Sequence, residues 1–330
     1  MTELKAFRGE FQAGERVQLT GPKGKLNTFT LKVGGVFGTH RGNVQHDSII
    51  GKPDGSVVTN DSGIQYLALR PLLSDYVLSM PRGAAIIYPK DAANIIVQGD
   101  IFPGAVVVEA GVGSGGLSMY LLRAIGAEGK LISFERRADF AEIAKANVTA
   151  ALGVMPTNWI VYEGSLETEL PKQVSSKSVD RVVLDMLAPW ECLESVAEAL
   201  LPGGVLTCYV ATVTQLSRVA EAIRDSAKFT EPLAFETLHR GWHLQGLAVR
   251  PEHRMSGHTG FLLTARRLAD GVDLPSFVRR AKPEYSEEDI SVWNPDNLGE
   301  RKVSEKRVRK SLRKANGTAE ARINSSSTEQ

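Results

Sequence analysis

Residues 106–126, VVVEAGVGSGGLSMYLLRAIG, restrict the possible folds more than any other stretch of the chain. Three valines lead into Glu109, and four glycines follow within six positions: Gly111, Gly113, Gly115 and Gly116. Leu117, Tyr120, Leu121 and Ala124 then recur at the spacing of a helix face. A β-branched run of this kind makes a strand buried on both sides, as in a parallel sheet. A glycine turn carrying such a strand into a helix presents backbone N–H groups outward, an anion or nucleotide site in many α/β folds.

The rest of the chain divides around this unit. Residues 1–78 consist of short alternating runs punctuated by Gly21-Pro22, Gly34-Gly35 and Asp54-Gly55, which predicts a small β domain with a hairpin turn at Asp54-Gly55. Residues 79–270 alternate strands (KLISFE, NWIVYEG, RVVLDML, GVLTCYV) with amphipathic helices (ADFAEIAKANVTAAL, WECLESVAEALL, TVTQLSRVAEAIRD). This predicts a Rossmann-like α/β domain, a parallel sheet covered on both faces. HLQGLAVRP and TGFLLTARRL predict two final strands, at least one antiparallel. Within residues 271–330, RKVSEKRVRKSLRK carries eight Lys or Arg against one Glu, and NGTAEARINSSSTEQ has almost nothing to bury. The expectation is a basic, largely disordered tail, with Phe277, Tyr285 and Trp293 as the residues that could pack on the body.

Formal net charge is +1, so nucleic acid would be met by a local patch rather than a global field. Cys192 and Cys208 have neither metal-ligand spacing nor a disulfide framework, and no run suits a signal peptide or membrane span. The chain is expected to be cytoplasmic, with no metal and no membrane partner.

Gly111, Gly113 and Gly116 satisfy G-x-G-x-x-G, and Glu135 follows at the end of the next strand, where it can bond both ribose hydroxyls. A dinucleotide and S-adenosylmethionine (SAM) both fit that much. Glu109 favours SAM, because a carboxylate there suits a cationic amino-acid end and opposes a pyrophosphate. LDMLAPW, residues 184–190, places Asp185 at the end of a later strand, facing the same crevice. Its acid, apolar residues and Pro189-Trp190 resemble a motif of amino-directed methyltransferases. The alternatives are a helix N-cap for Asp185 and a core position for Trp190.

Taken together, YPKDAANIIVQGDIFPGAVVVEAGVGSGGLS, LDMLAPW, YVATVTQLSRVAEAI and GLAVRPEHRMSGHTGFLLTARR resemble the tRNA adenine-58 N1-methyltransferase family, from about residue 5 to 270. The variant looks like the single-gene bacterial and archaeal form, which is a homotetramer. The resemblance implies a tRNA substrate, N1 of a T-loop adenosine as target, and S-adenosylhomocysteine as product. It implies SAM contacts at Gln98, Glu109, Gly111, Gly113, Ser114, Gly115, Gly116, Leu117 and Glu135, with Gly164 and Ser165, or Glu163, at the adenine. It makes Asp185 the catalytic aspartate and Tyr88 the aromatic lining the target pocket; a base that leaves its stack needs an aromatic face, for which Trp242 is the second candidate after Tyr88. His258 is expected to make a structural hydrogen bond at the pocket rim. Lys23, Lys25, Lys32, Arg41, RPEHR (250–254) and RRLADG (266–271) are candidate phosphate contacts. Rival readings are a SAM enzyme acting on protein or a small molecule, a non-catalytic RNA-binding subunit, and an NAD-linked oxidoreductase.

Overall fold

A computed structural model describes residues 8–272, 285–293 and 303–327. The N-terminal strands are β1 (Arg16–Thr20), β2 (Leu26–Thr30), β3 (Val36–Thr39), β4 (Gly42–Gln45), β5 (Ser56–Thr59) and β6 (Gln65–Leu69). Four form an antiparallel sheet in the order β2-β1-β6-β5, and β3 pairs with β4 alone. In β6, QYLAL alternates exposed and buried positions, turning Tyr66 and Ala68 onto a core of Phe11, Val17, Leu19, Leu31 and Val58. The hairpin at Asp54-Gly55 is not formed. That pair leads into β5, with the Asp54 carboxylate accepting from the Arg70 N–H at 2.9 Å. The β5–β6 turn lies at 60–63, where Asn60 Oδ1 accepts from the Ser62 and Ile64 N–H groups.

The second unit runs α1 (Leu73–Ser79), α2 (Pro89–Gln98), β7 (Val106–Ala110), α3 (Gly116–Ile125), β8 (Lys130–Glu135), α4 (Ala138–Leu152), β9 (Trp159–Glu163), α5 (Leu166–Gln173), β10 (Val179–Asp185), α6 (Leu193–Ala199), β11 (Leu200–Val210), α7 (Val213–Ser226), β12 (Leu233–Phe235), β13 (Trp242–Gln245), β14 (Ala248–Pro251) and β15 (Phe261–Arg266). One seven-stranded sheet has the order β12-β15-β11-β10-β7-β8-β9. Strands β7 to β11 are parallel, and β15 runs antiparallel between β11 and β12. Strand period two sends Val107 and Val183 to the side of α2, α3 and α4, and Val108 and Leu184 to the side of α6. The chain order reverses between β7 and β10, which opens a crevice at the carboxyl ends of the strands. HLQGLAVRP is not one strand. It folds back at Gly246 (φ 54°) as the β13–β14 hairpin.

The C-terminal segment departs most from expectation. Beyond α8 (Glu287–Trp293), Lys306, Arg307, Arg309, Lys310, Arg313 and Lys314 lie on a helix, α9 (Glu305–Ser327), packed along α4. Val308, Ser311, Ala315 and Ala319 recur every three or four residues and are buried, Val308 against Phe140 and Ile143 of α4. Ser311 Oγ donates to the Arg82 carbonyl at 2.7 Å, and Arg322 pairs with Glu15 of the β domain at 3.1 Å. Lys and Arg are good helix formers, so a cationic sequence with one packed stripe is ordered here. Trp293 Nε1 donates to Ser217 Oγ at 3.1 Å, Tyr285 is exposed, and Phe277 lies outside the described residues.

Candidate active site

The glycine turn is fixed from three sides. Gly111 has φ 84°, and a Cβ there would lie 1.8 Å from the Asp185 carbonyl oxygen, so only glycine lets β7 pass the end of β10. Gly115 (φ 80°) precedes α3, with Ala144 of α4 close against it. Ser114 is buried, and its Oγ accepts from the Gly83 and Ala84 N–H groups at 3.3 and 3.4 Å. Asn147 Nδ2 donates to the Ser114 carbonyl at 3.0 Å and to that of Pro81 at 2.8 Å. The Leu117 side chain is in the core, so its backbone N–H, in the first turn of α3, is what it offers a ligand.

Sheet register aligns the chemistry. Asp185 lies opposite Tyr209, Glu135 opposite Glu163, and all share the α2–α3 face with Glu109 and Val183, two residues further in. Glu135 Oε2 accepts from the Gly113 N–H at 3.0 Å, and Oε1 from Arg137 N–H at 3.1 Å. Asp185 caps no helix, because the turn and helix that follow begin at Ala188 and Cys192. Its half-buried carboxylate has no hydrogen-bond or ion-pair partner among the described residues, and burial, with Glu135 adding, pushes it up to about 7. Glu163 is exposed, while Gly164 and Ser165 are half-buried where the chain enters α5.

Glu109 is not at the crevice surface, as its sequence position suggested. It is fully buried, accepts from Ser118 Oγ at 2.8 Å and Ser133 Oγ at 2.7 Å, and is pushed to about 7 by burial. Gln98 is also displaced. It ends α2, beside Asp100, which pairs with Arg181 near the start of β10, so it sits toward the amino ends of the strands. Tyr88, at the other end of α2, is on the crevice side and 39% exposed, enough to present its ring. Trp190 packs on the α6 side with the Arg218 guanidinium 4.0 Å from its ring, a core position. Trp242 is exposed on the β13–β14 hairpin.

Sequence reasoning missed the rim beside Tyr88. Lys90 Nζ donates to Asp91 Oδ1 at 2.7 Å and to Thr259 Oγ1 at 2.6 Å, and Thr259 Oγ1 donates to Asp91 Oδ2. Tyr209 OH donates to the Thr259 carbonyl at 2.7 Å. Burial raises the Tyr209 phenol, and Asp91, Asp185 and Tyr88 add to the shift. The signal was YPKD itself, polar residues just inside a proline-started helix. His258 makes the structural bonds expected, to the Ala211 carbonyl and to Glu236, and these hold it above its ordinary value. Arg267 is not available to phosphate, because it is buried against the Ala197 carbonyl and Asp270. Lys23, Lys25, Lys32 and Arg41 are exposed. Among the described residues, no group of His, Cys, Asp and Glu is placed to hold a metal, and no helix is long and apolar enough to cross a membrane.

A parallel sheet with one antiparallel strand next to its last position, a glycine turn after its first strand and acids after the second and fourth define the SAM-dependent methyltransferase fold. A Thermotoga maritima SAM-dependent O-methyltransferase superposes with a TM-score of 0.74 at 26% identity, covering 80% of this chain and 96% of its own. The tRNA (m1A58) methyltransferase TrmI of Aquifex aeolicus gives 0.70 at 26% identity, covering 79% and 100%. Residues 9–58 match the TrmI-like N-terminal family and residues 65–247 the tRNA methyltransferase complex GCD14 subunit family. The tRNA (adenine(58)-N(1))-methyltransferase TrmI of Thermus thermophilus is 35% identical over 245 residues, 74% of this chain and 94% of that protein. The chain belongs to the tRNA (adenine-58-N1)-methyltransferase family.

Proposed function

We propose that the chain methylates N1 of adenosine 58 in the T loop of tRNA, using SAM, as a cytoplasmic homotetramer. The observation that carries the reading is Asp185: an unpaired, half-buried carboxylate in the row of Glu135, beside the glycine turn, in a chain of this family. The charge at the crevice suits a cationic ligand, since Glu135 and Asp185 lie close together with no cation paired to them among the described residues, and the buried Glu109 lies behind them. The N-terminus of α3 suits the ligand's carboxylate. When bound, SAM supplies an electrophilic methyl group on a sulfonium.

Adenine N1 carries an in-plane lone pair and needs no proton removed before it attacks, so the protein's task is positioning and electrostatics. As N1 gains the methyl, positive charge spreads to C6 and N6. Asp185 accepts a hydrogen bond from N6–H, stabilises that charge and selects adenine over hypoxanthine. N1 lies on the base-pairing edge, so the base must leave its stack, at a cost of a few kcal/mol. The exposed Tyr88 ring recovers part of that by stacking. Glu135 holds the ribose hydroxyls, and Gly164 and Ser165 border the adenine beside the exposed Glu163. The hairpin apolar residues Leu244, Leu247 and Val249, all exposed, support assembly with other copies.

Incubating unmodified tRNA with enzyme and SAM should give 1-methyladenosine at position 58 by nucleoside mass spectrometry. Transfer only to protein or to another nucleoside overturns the reading. Glu135→Ala should weaken SAM binding by about 1.5–3 kcal/mol, roughly 10- to 150-fold in Kd, from lost charge-assisted ribose bonds. Calorimetry showing an unchanged Kd removes Glu135 from the site.

A further inference from the structure

A groove of about 470 Å³ lies between the β domain, the segment 79–82 and α9. Its walls hold five cations: Arg16 from β1, Arg82 from the segment before the glycine turn, and Arg307, Lys310 and Lys314 from α9. Thr28, Thr30, Ser79 and Thr318 add hydroxyls, and among the described residues no carboxylate lines it. Among the described residues, none of the five cations has an ion-pair partner. Elsewhere cations that meet a carboxylate pair with it, as Arg70 does with Glu15 at 2.8 Å and Arg181 with Asp100 at 2.6 Å. From these observations we propose that this groove binds the phosphodiester backbone of the RNA substrate, with α9 as its outer wall.

Three features support an RNA backbone as occupant. Five unpaired cations with hydroxyls and no acid complement a chain of phosphates rather than one neutral ligand. The Arg16 guanidinium donates to Ser79 Oγ at 3.2 Å and lies 4.9 Å from the Tyr76 ring, neutral partners that leave its charge uncompensated at the groove wall. The groove is also joined to the active site. Arg82 lines it, and Gly83 and Ala84, the next two residues, donate to Ser114 of the glycine turn. Two residues span at most about 7 Å, so bound phosphates would lie next to the cofactor turn. Helix α9 lies beyond both matched family segments, so its wall of the groove is a feature of this chain's own C-terminal part.

The inference rests on the RNA-directed reading above, and its test separates the two. Full-length Arg307→Gln/Lys310→Gln/Lys314→Gln keeps the buried stripe of α9 and substitutes another good helix former. Lys306→Gln/Arg309→Gln/Arg313→Gln removes the same charge from exposed positions outside the groove. Binding of tRNA is measured by fluorescence anisotropy from 50 to 300 mM salt, without SAM. The groove variant should lose roughly 2–3 units of log–log salt slope, about 0.7–0.9 per phosphate contact, and the control under one unit. Circular dichroism checks that both keep their helix. Equal flattening by both variants, or by neither, overturns the groove. Displacement of tRNA by polyglutamate as readily as by RNA of equal charge also overturns it, in favour of an acidic protein partner. A wild-type enzyme that binds tRNA with the expected slope but leaves adenosine 58 unmethylated would sink the activity and leave the groove standing.

Discussion

Asp185→Ala should lower methyl transfer about 10²- to 10³-fold while leaving the Kd for SAM within a few-fold of wild type. Removing one preorganised group aimed at developing charge typically costs about 2.7–4 kcal/mol in the transition state. The carboxylate has no other partner among the described residues, so its removal strands no buried donor there, and stability should not fall with activity. Its elevated value, about 7, gives a second signature. Only the ionised form accepts from N6–H, so kcat/KM for SAM, which reports the free enzyme, should rise with pH through about 7 and then level. In Asp185→Asn that rise should flatten. Stability runs the other way. The folded protein keeps the Asp185 proton between its ordinary value of 3.8 and about 7, where the unfolded chain has lost it, so stability falls as pH rises across that window. The variant should show a smaller drop in Tm between pH 5 and 8, and near-wild-type transfer by it would remove Asp185 from catalysis.

The parts of this site legible in the sequence were those written in strand ends and glycines. VVVEA followed by four glycines, Glu135 closing KLISFE and Asp185 closing RVVLD each needed only local pattern. Depth was harder. Glu109 lies two residues inside the edge, about 7 Å, enough to put it under α3 with Ser118 and Ser133 rather than in the crevice. Gln98 lies far from Tyr88 because ten helical residues carry the chain about 15 Å along α2. Tyr209 became visible only through its register with Asp185. Helix α9 hid because its buried stripe is Val308, Ser311, Ala315 and Ala319, small side chains that scarcely register in hydropathy. The clue was in α4. Phe140, Ala141, Ile143, Ala144, Val148 and Ala150 are too many apolar positions for one face, and a helix apolar most of the way round needs a second cover.

Gly111→Ala should remove SAM binding and methyl transfer together and lower Tm by roughly 6–15 °C. The added methyl would lie 1.8 Å from the Asp185 carbonyl oxygen and 2.8 Å from its carbon, both backbone atoms. No rotamer change relieves such a contact. The register Leu184↔Ala110 immediately behind it holds β7 and β10 together, so relief means prising apart the ends of two central strands. Overpacking against fixed structure costs about 1–3 kcal/mol, and alanine at φ 84° adds strain of about 1 kcal/mol or more. A contact this short takes the overpacking term near its upper end, and the resulting total of roughly 3–4 kcal/mol gives the Tm change, at about 2–4 °C per kcal/mol for a large domain. Gly104→Ala is the control. Gly104 has φ 88°, but its Cβ would meet nothing within 4 Å, so only the conformational term remains. Its Tm should fall by a few degrees with SAM affinity intact. The two functions that Asp185→Ala separates should fail as one in Gly111→Ala, because displacing the β10 end moves the carboxylate and the cofactor turn at once. A Gly111→Ala protein with the Tm and SAM affinity of the wild type would show that β7 and β10 are not in contact there, and that the crevice is built some other way.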